Sequence, residues 1–120
     1  MKVSELQGAA LDWAVAKCEG GEGFWYDTIA THWIKIDGAD RALSKGWAQS
    51  FTPSTNWAQG GPIIEREKIA LSYDTERFGW VASFYDGDDV FGGTPLIAAM
   101  RCYCCAKLGD EIDIPEELRA

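Results

Sequence analysis

The 120-residue sequence contains a single histidine and no hydrophobic run long enough to cross a membrane. A transmembrane helix needs roughly 20 consecutive apolar residues, whereas the longest apolar run, residues 96–100, ends at Arg101. The N-terminal segment also lacks the apolar core of a signal peptide, because Glu5 and Asp12 interrupt it. We therefore expect one soluble intracellular domain over residues 1–120, without a membrane partner.

The scarcity of histidine limits the catalytic chemistry. A serine or cysteine triad needs a histidine base, and His32 lies in a strand-like segment where a structural role is the simpler interpretation. The sequence contains neither the histidine pairs of zinc enzymes nor a phosphate-binding P-loop. Glu65 and Glu67 form a candidate acid–base pair on one strand face, although exposed strand charges explain them more simply. We assign no catalytic residue, no metal ligand and no cofactor, and the sequence leans away from an enzyme.

Three of the four cysteines are crowded at Cys102, Cys104 and Cys105, and the fourth is Cys18. A disulfide framework would spread its cysteines along a secreted chain, and a zinc site would show paired spacings. Small buried hydrophobic residues are the better interpretation. Whether one of the three crowded cysteines is a reactive surface thiol stays open.

Basic residues are few: eleven against nineteen acidic residues, which gives a formal net charge of −8. A surface that binds long nucleic acid is usually basic, so this balance argues against direct binding to long DNA or RNA. The acids concentrate in residues 86–89 and 110–117. Solvated loop ends explain such clusters most simply, and a surface that resembles a polyanion is the alternative. Asp86 and Asp88 resemble the start of a calcium loop, but the later ligands are missing.

Two segments predict helices. Ser4 is predicted to cap the first helix, whose apolar stripe continues to Cys18 before a stop at two glycines. In the second, Thr94 is the expected N-cap, Pro95 takes the first helical position, and Gly109 ends the helix. Beyond it, we expect an extended acidic C-terminal tail over 110–120.

The middle of the chain predicts strands and loops. β-Branched and aromatic residues predict a strand over 29–36, closed by a turn at Asp37-Gly38. Two further strands are expected near 63–73 and 79–85, paired as a hairpin. Residues 39–62 are rich in tryptophan and glycine and are expected to form a long connection. The predicted fold is α+β, with two principal helices packed on a small, mainly antiparallel sheet.

Two features fit ligand binding. Loop tryptophans can stack on a flat ligand while nearby amides bind its polar groups. The start of the second helix offers N–H groups and a positive dipole end to a phosphate or carboxylate. A lid over the core and ordinary helix capping are the simpler alternatives. Together the two features predict a pocket for a small, aromatic, anionic molecule such as a nucleotide, with Arg101 included if it turns towards the ligand. Its candidate residues are Trp47, Ser54, Asn56, Trp57, Gln59, Gly60, Gly61, Gly93, Thr94 and Arg101.

Several segments resemble the NinX-like family of small phage and prophage proteins. They are residues 54–65 (STNWAQGGPIIE), 94–101 (TPLIAAMR), 108–111 (LGDE) and 11–16 (LDWAVA). Residue 56 is Asn, where Asp is expected in many relatives. The resemblance implies a phage accessory protein in the cytoplasm of the host bacterium, and it brings no established activity. Counteracting a host defence is the context that it implies.

Three functions follow as hypotheses. The first is a non-catalytic protein that sequesters a nucleotide-like signalling molecule of the host. The second is an acidic inhibitor that binds a host defence protein or nucleic-acid-binding protein. The third is an enzyme acting on a nucleotide, for which the sequence offers no evident base or nucleophile. We also expect a homo-oligomer, because wide apolar helix faces and many aromatic residues are hard to bury in a chain of this length.

Overall fold

A computed structural model of the protein describes residues 1–26, 31–44, 46–85 and 87–119. In these ranges the α-helices are α1 (Gly8–Cys18), α2 (Trp57–Glu67) and α3 (Pro95–Leu108). The strands are β1 (Glu22–Tyr26), β2 (His32–Ile36), β3 (Ala39–Ala42), β4 (Ala70–Asp74), β5 (Gly79–Ser83) and β6 (Val90–Gly92). They form two three-stranded antiparallel sheets with strand orders β1-β2-β3 and β4-β5-β6. The fold is α+β, as predicted, with its antiparallel strands divided between two sheets.

The first helix begins later than predicted. Ser4 lies in a short 3₁₀ turn, Val3–Glu5, and Gln7 takes the N-cap position of α1 without a side-chain capping bond. The prediction that Ser4 caps α1 is therefore wrong, because Val3 and Leu6 are buried in the core and draw this segment into a separate turn. The end of α1 is as predicted: the helix stops at Cys18, and Gly20 follows with a left-handed φ of 88°.

The turn at Asp37-Gly38 is confirmed. These residues have φ values of 52° and 80°, and they join β2 to β3 in a two-residue hairpin that suits the twist of the strands. Because the hairpin continues through β3, the prediction of a loop from residue 39 onward is wrong at its start. β1 was not predicted. Of the strand expected over 29–36, residues 32–36 form β2, Thr31 precedes the strand, and residues 29 and 30 lie outside the described residues.

The largest departure from the sequence prediction is α2. Residues up to 62 were expected in a loop and residues 63–73 in a strand, but Trp57–Glu67 forms one helix and only Ala70–Asp74 forms a strand. Glu65 and Glu67 are consequently helical, and the acid–base pair expected on a strand face does not exist.

The end of the tryptophan- and glycine-rich connection is helical because tertiary packing outweighs its low helix propensity. Asn56 caps α2, since its side-chain oxygen accepts from the Ala58 N–H at 2.9 Å. Gly60 is buried against the preceding loop, and a Cβ at this position would lie 2.4 Å from the Pro53 carbonyl oxygen. Only glycine allows this close approach between the helix and the loop.

The C-terminal half follows the predictions more closely. β4 and β5 form the expected hairpin, and Asp74 pairs with Gly79 at its closed end. β6, which was not predicted, pairs with β5 on the other side. α3 begins and ends as predicted: the Thr94 hydroxyl accepts from the Ile97 N–H at 3.1 Å, and Gly109 is the C-cap.

α3 is the central element of the core. It packs against β5, β6, α1 and α2, which agrees with its broad apolar face. Its Cys102 and Cys104 are buried, whereas Cys105 and the Cys18 of α1 are half-buried, and all four are free thiols. Burial of two of the three crowded cysteines agrees with their interpretation as small hydrophobic residues.

The acidic C-terminal segment packs against the N-terminus. The Val3 N–H donates to the Asp110 carbonyl at 2.9 Å, and the Ile112 N–H donates to the Met1 carbonyl at 3.1 Å. Ile114 and Leu118 are buried. The segment therefore contributes to the core while its carboxylates stay on the surface.

Candidate functional site

The first turns of α2 and α3 border one small cleft with a volume of about 240 Å³. The described residues that line it are Ser54, Thr55, Trp57, Thr94, Pro95, Leu96 and Ile97. A helix N-terminus carries partial positive charge and N–H groups without acceptors inside the helix. The N–H groups of Ala58 and Ile97 are already capped by Asn56 and Thr94, and Pro95 has none. An anionic group in this cleft would therefore be attracted mainly by the dipoles of the two helices.

Ser54 supplies an unusual polar group to this cleft. Its residue is only 2% exposed, and its Oγ has no hydrogen-bond partner among the described residues. The Ser54 N–H donates to Oδ1 of the buried Asp12 at 2.8 Å, which fixes the position of the residue against α1. A buried hydroxyl without a partner costs about 1–3 kcal/mol. Because this Oγ has almost no accessible surface, a ligand in the cleft would recover that cost only if the residues that cover it moved aside.

Trp57 stands between this cleft and a second one. The second cleft has a volume of about 350 Å³ and is lined by Gly46, Trp47, Ser50, Thr52, Thr55, Asn56 and Trp57. Because Thr55 and Trp57 line both, the two clefts adjoin. Trp57 is 54% exposed, so much of its indole is available for stacking. Trp47 is partly occupied by an edge-to-face contact with Trp33, with ring centroids 5.3 Å apart.

The structure thus brings together five of the ten predicted site residues, those that line one or both clefts: Trp47, Ser54, Asn56, Trp57 and Thr94. We call this pair of adjoining clefts the Trp57 site. Gly93 precedes the N-cap of α3 and is exposed, but it is outside the described lining of either cleft.

The predicted amide and glycine contacts have structural partners instead. The Thr52 N–H donates to Gln59 Oε1 at 2.6 Å, and Gln59 Nε2 donates to the Ser50 carbonyl at 2.6 Å. Gln59 therefore holds the loop before α2. Gly60 permits the close contact with that loop, and a Cβ at Gly61 would lie 3.8 Å from the Trp57 ring. These three residues shape the Trp57 site without lining it.

Arg101 does not turn towards the Trp57 site. Its Nε donates to the Leu6 carbonyl at 2.7 Å and its Nη1 to the Phe91 carbonyl at 3.0 Å. It lines a separate cleft of about 590 Å³ together with Arg77. Burial lowers the pKa of the Arg101 guanidinium, and the nearby Glu5 carboxylate opposes this shift. Two backbone carbonyls therefore hold the side chain away from the ligand position that the sequence suggested.

Sequence reasoning missed Asp12, which positions Ser54 from 42 residues away. The signal in the sequence was Asp12 itself, a charged residue in an otherwise apolar stretch. In the structure, residues 10–16 are all buried. Leu96 and Ile97 were also missed as lining residues, because their positions predict the apolar face of α3 that packs in the core.

A polar cluster at the C-terminal ends of the three helices is occupied by internal bonds. Arg66 donates to the two Glu19 carboxylate oxygens at 3.0 and 2.8 Å, and the Tyr103 hydroxyl donates to Glu19 at 2.6 Å. Burial raises the pKa of Glu19, but the hydrogen bonds from Arg66 and Tyr103 outweigh it, and the pKa is lowered overall. The pKa of Tyr103 is raised by burial and by its bond to Glu19. This cluster holds the helices together.

The two acidic segments meet on one face of the protein. Asp88, Asp89 and Asp110 line the same cleft, of about 290 Å³, next to Cys102 and Cys105. Asp86, which the sequence grouped with them, lies outside the described residues. Among the residues that the structure describes, no group of three or more histidine, cysteine or acidic side chains is placed to hold a metal ion.

This geometry defines the class of protein: a small α+β protein with an open cleft in two parts. The chain belongs to the family described as Bacteriophage P22, NinX, whose model matches residues 2–107. This match confirms the resemblance seen in the sequence and identifies a phage protein. No curated protein matches the chain. Of the helices in the described ranges, none combines the length and the apolar character needed to span a bilayer.

Proposed function

We propose that this phage protein binds and sequesters a small nucleotide-like signalling molecule in the cytoplasm of the host bacterium, without turning it over. One observation supports this function most directly: the first turns of two helices border the same cleft as an exposed tryptophan and a buried hydroxyl without a partner. The helix N-termini suit a phosphate or carboxylate, and the Trp57 indole suits a flat base.

The size of the Trp57 site favours a small ligand. The larger part, of about 350 Å³, is at the lower end of the range for ligand pockets, which starts near roughly 300 Å³, and the smaller part, of about 240 Å³, lies below it. A ligand of mononucleotide size would place its base on the indole and its anionic group at the helix N-termini. The Ser54 hydroxyl can donate or accept a hydrogen bond, so it can bind a polar edge of either part. Binding of long DNA or RNA is not part of this proposal.

The chemistry of the lining favours binding over turnover. None of the described residues that line the smaller cleft is titratable; its polar side chains are the hydroxyls of Ser54, Thr55 and Thr94. General acid–base catalysis needs a positioned proton donor or acceptor close to the reacting atoms. A protein that only retains its ligand needs none.

The open form of the Trp57 site suits an assembly in which a second subunit covers the ligand. Trp57 and Thr55 are both exposed, so a bound base would keep one side in water in a single chain. We propose a homo-oligomer on this ground. Native mass spectrometry of the purified protein measures both the number of subunits and the mass of any retained ligand.

The test of the binding function is a thermal-shift screen against linear and cyclic nucleotides, with Trp57→Ala as the test variant. The matched control is Phe78→Ala, because Phe78 is an aromatic residue that is 81% exposed and lines neither part of the Trp57 site. A ligand should raise the Tm of the wild type and of the control but not of Trp57→Ala. Recovery of the intact ligand after long incubation supports sequestration, and its conversion identifies an enzyme. Absence of any shift across the panel contradicts the proposal.

The acidic face supports a second candidate function. Asp88 and Asp89 come from one segment and Asp110 from another, yet all three line one cleft. Such a face can imitate a polyanion and inhibit a host nucleic-acid-binding or defence protein. The expected interaction weakens steeply as salt increases. Loss of binding in a triple Asp→Asn variant tests it, while a salt-independent interaction that survives this variant argues against it.

A further inference from the structure

Cys18 and Cys104 lie side by side although 86 positions separate them in the sequence, with their Sγ atoms 4.0 Å apart. Cys18 is the last residue of α1 and is half-buried. Cys104 lies within α3 and is fully buried. The pair therefore joins two core helices, with one thiol open in part to solvent and the other directly behind it.

We propose that Cys18 and Cys104 form an oxidation-sensitive pair, in which a peroxide oxidises Cys18 and Cys104 then closes a disulfide between α1 and α3. Peroxides are the co-reactant class that this chemistry needs. The inference is independent of the ligand-binding function, because neither cysteine lines the Trp57 site.

The geometry requires only a short movement. A disulfide has a sulfur–sulfur distance of about 2.05 Å, so the two atoms must approach by roughly 2 Å. Cys18 is suited to this movement because α1 ends there. The next residue, Glu19, is the C-cap with a ψ of 11°, and Gly20 is left-handed. Movement of Cys18 therefore disturbs a helix on one side only. Because Arg66 and Tyr103 hold the neighbouring Glu19, the Cys18 side chain must supply most of the approach.

The surroundings make Cys18 the first sulfur to react. Contact with the Cys104 thiol lowers the pKa of Cys18; burial and Glu19 oppose this shift, and Lys107 reinforces it. The same contact, together with burial, raises the pKa of Cys104 well above its ordinary value. Because the thiolate is the nucleophile, the accessible Cys18 reacts with peroxide and the buried Cys104 reacts second.

The Cys18 thiolate attacks one peroxide oxygen, an S–O bond forms, the O–O bond breaks, and the leaving hydroxide takes up the thiol proton as water. The Cys104 sulfur then attacks the sulfenic sulfur of Cys18. An S–S bond forms, the S–O bond breaks, and the departing hydroxide leaves as water with the Cys104 proton. Two thiols are oxidised and one peroxide is reduced to two waters.

The other two cysteines provide internal controls. Cys102 is buried, and burial raises its pKa to about 11. Burial is also the largest cause that raises the pKa of Cys105, which is half-buried like Cys18. Neither environment favours a thiolate, so both should remain thiols under conditions that oxidise Cys18.

The experiment treats the reduced full chain with hydrogen peroxide, alkylates the remaining thiols and maps the peptides. We expect a cross-link between the Cys18 and Cys104 peptides, with Cys102 and Cys105 alkylated. The oxidised protein should also melt about 5 °C or more above the reduced protein, because the link closes a long loop in the unfolded chain.

Cys18→Ser should abolish the cross-link, whereas the matched variant Cys105→Ser should leave it unchanged. Cys104→Ser should accumulate a sulfenic acid at Cys18 that dimedone traps; if circular dichroism shows that this variant is unfolded, Cys104→Ala replaces it. The wild-type peptide map alone shows whether the Cys18–Cys104 disulfide forms. Complete alkylation of all cysteines after peroxide treatment, or a cross-link through Cys102 or Cys105, overturns the proposal.

Discussion

Two adjacent glycines in α2 should respond very differently to the same substitution. Both lie inside Trp57–Glu67, where alanine has the higher helix propensity. Their surroundings differ. A Cβ at Gly60 would lie 2.4 Å from the Pro53 carbonyl oxygen and 2.6 Å from Leu96 Cδ2, whereas a Cβ at Gly61 would meet, apart from its chain neighbours, only the Trp57 ring at 3.8 Å. Gly61 precedes Pro62, however, and proline disfavours a helical conformation of a preceding residue that carries a side chain. Gly60→Ala should therefore destabilise the fold, and Gly61→Ala should leave it nearly unchanged.

The magnitudes follow from two opposing contributions. Gly→Ala in a helix interior stabilises by about 0.5–1 kcal/mol, while overpacking a closed position costs about 1–3 kcal/mol. The Leu96 methyl group can turn away, but the Pro53 carbonyl belongs to the main chain, so the loop or α2 itself must shift. We expect a net loss of about 1–2 kcal/mol for Gly60→Ala. For Gly61→Ala we expect a change within about 0.5 kcal/mol of zero, because the following Pro62 offsets the propensity gain.

Urea denaturation followed by far-UV circular dichroism measures both changes, with the wild type as reference. At roughly 4 °C for each kcal/mol, thermal melting should separate the two variants clearly. The reasoning is refuted if both variants are stabilised equally, because the close approach of α2 to Pro53 would then not exist. A loss of stability at Gly61 alone would contradict the assigned packing of α2.

Three further predictions concern polar groups. Asn56→Asp keeps the cap and adds negative charge at the α2 N-terminus, so the free protein should gain about 0.3–1 kcal/mol in urea melts while binding of an anionic ligand weakens. Because the folded-state pKa of Glu19 is lowered, its contribution to stability is present above its unfolded pKa and lost as pH falls through the folded pKa. The Tm of the wild type should therefore fall more on acidification than that of Glu19→Gln, and parallel curves would contradict this. Ser54→Ala should leave the free protein as stable as the wild type or slightly more stable, yet weaken the ligand-induced thermal shift; unchanged ligand binding would exclude a role for this hydroxyl.

Local signals explain which elements could be predicted. α3 was predictable at both ends, because Thr94, Pro95 and Gly109 each act within one turn of the chain. The Asp37-Gly38 turn was predictable for the same reason. α2 was not, since its sequence contains Gly60, Gly61 and Pro62, which each disfavour a helix. Its helical state depends on contacts with Pro53 and Leu96 that local propensity does not include.

The candidate site was predictable in its chemistry more than in its geometry. Trp57 and Thr94 were identified from residue type, but their meeting across 37 positions of sequence depends on how α2 packs against α3. Arg101 shows the converse. It lies two helical turns after Thr94, yet two backbone carbonyls hold it in a different cleft. A charged side chain near a site in sequence is not a ligand contact until its own hydrogen bonds are known.

The low helix propensity of α2 and the position of the Trp57 site have one structural cause. Gly60 lets α2 approach the Pro53 loop and Leu96 closely, and Leu96 belongs to the first turn of α3. That approach places the N-termini of α2 and α3 at one cleft, with Ser54 held between them by Asp12. A sequence optimised only for stability would favour alanine over glycine within a helix and would avoid a buried hydroxyl without a partner. Where local preference and tertiary structure disagree in this way, a functional constraint is the usual reason. Here Ser54 lines the cleft, and Gly60 permits the helix packing that forms it.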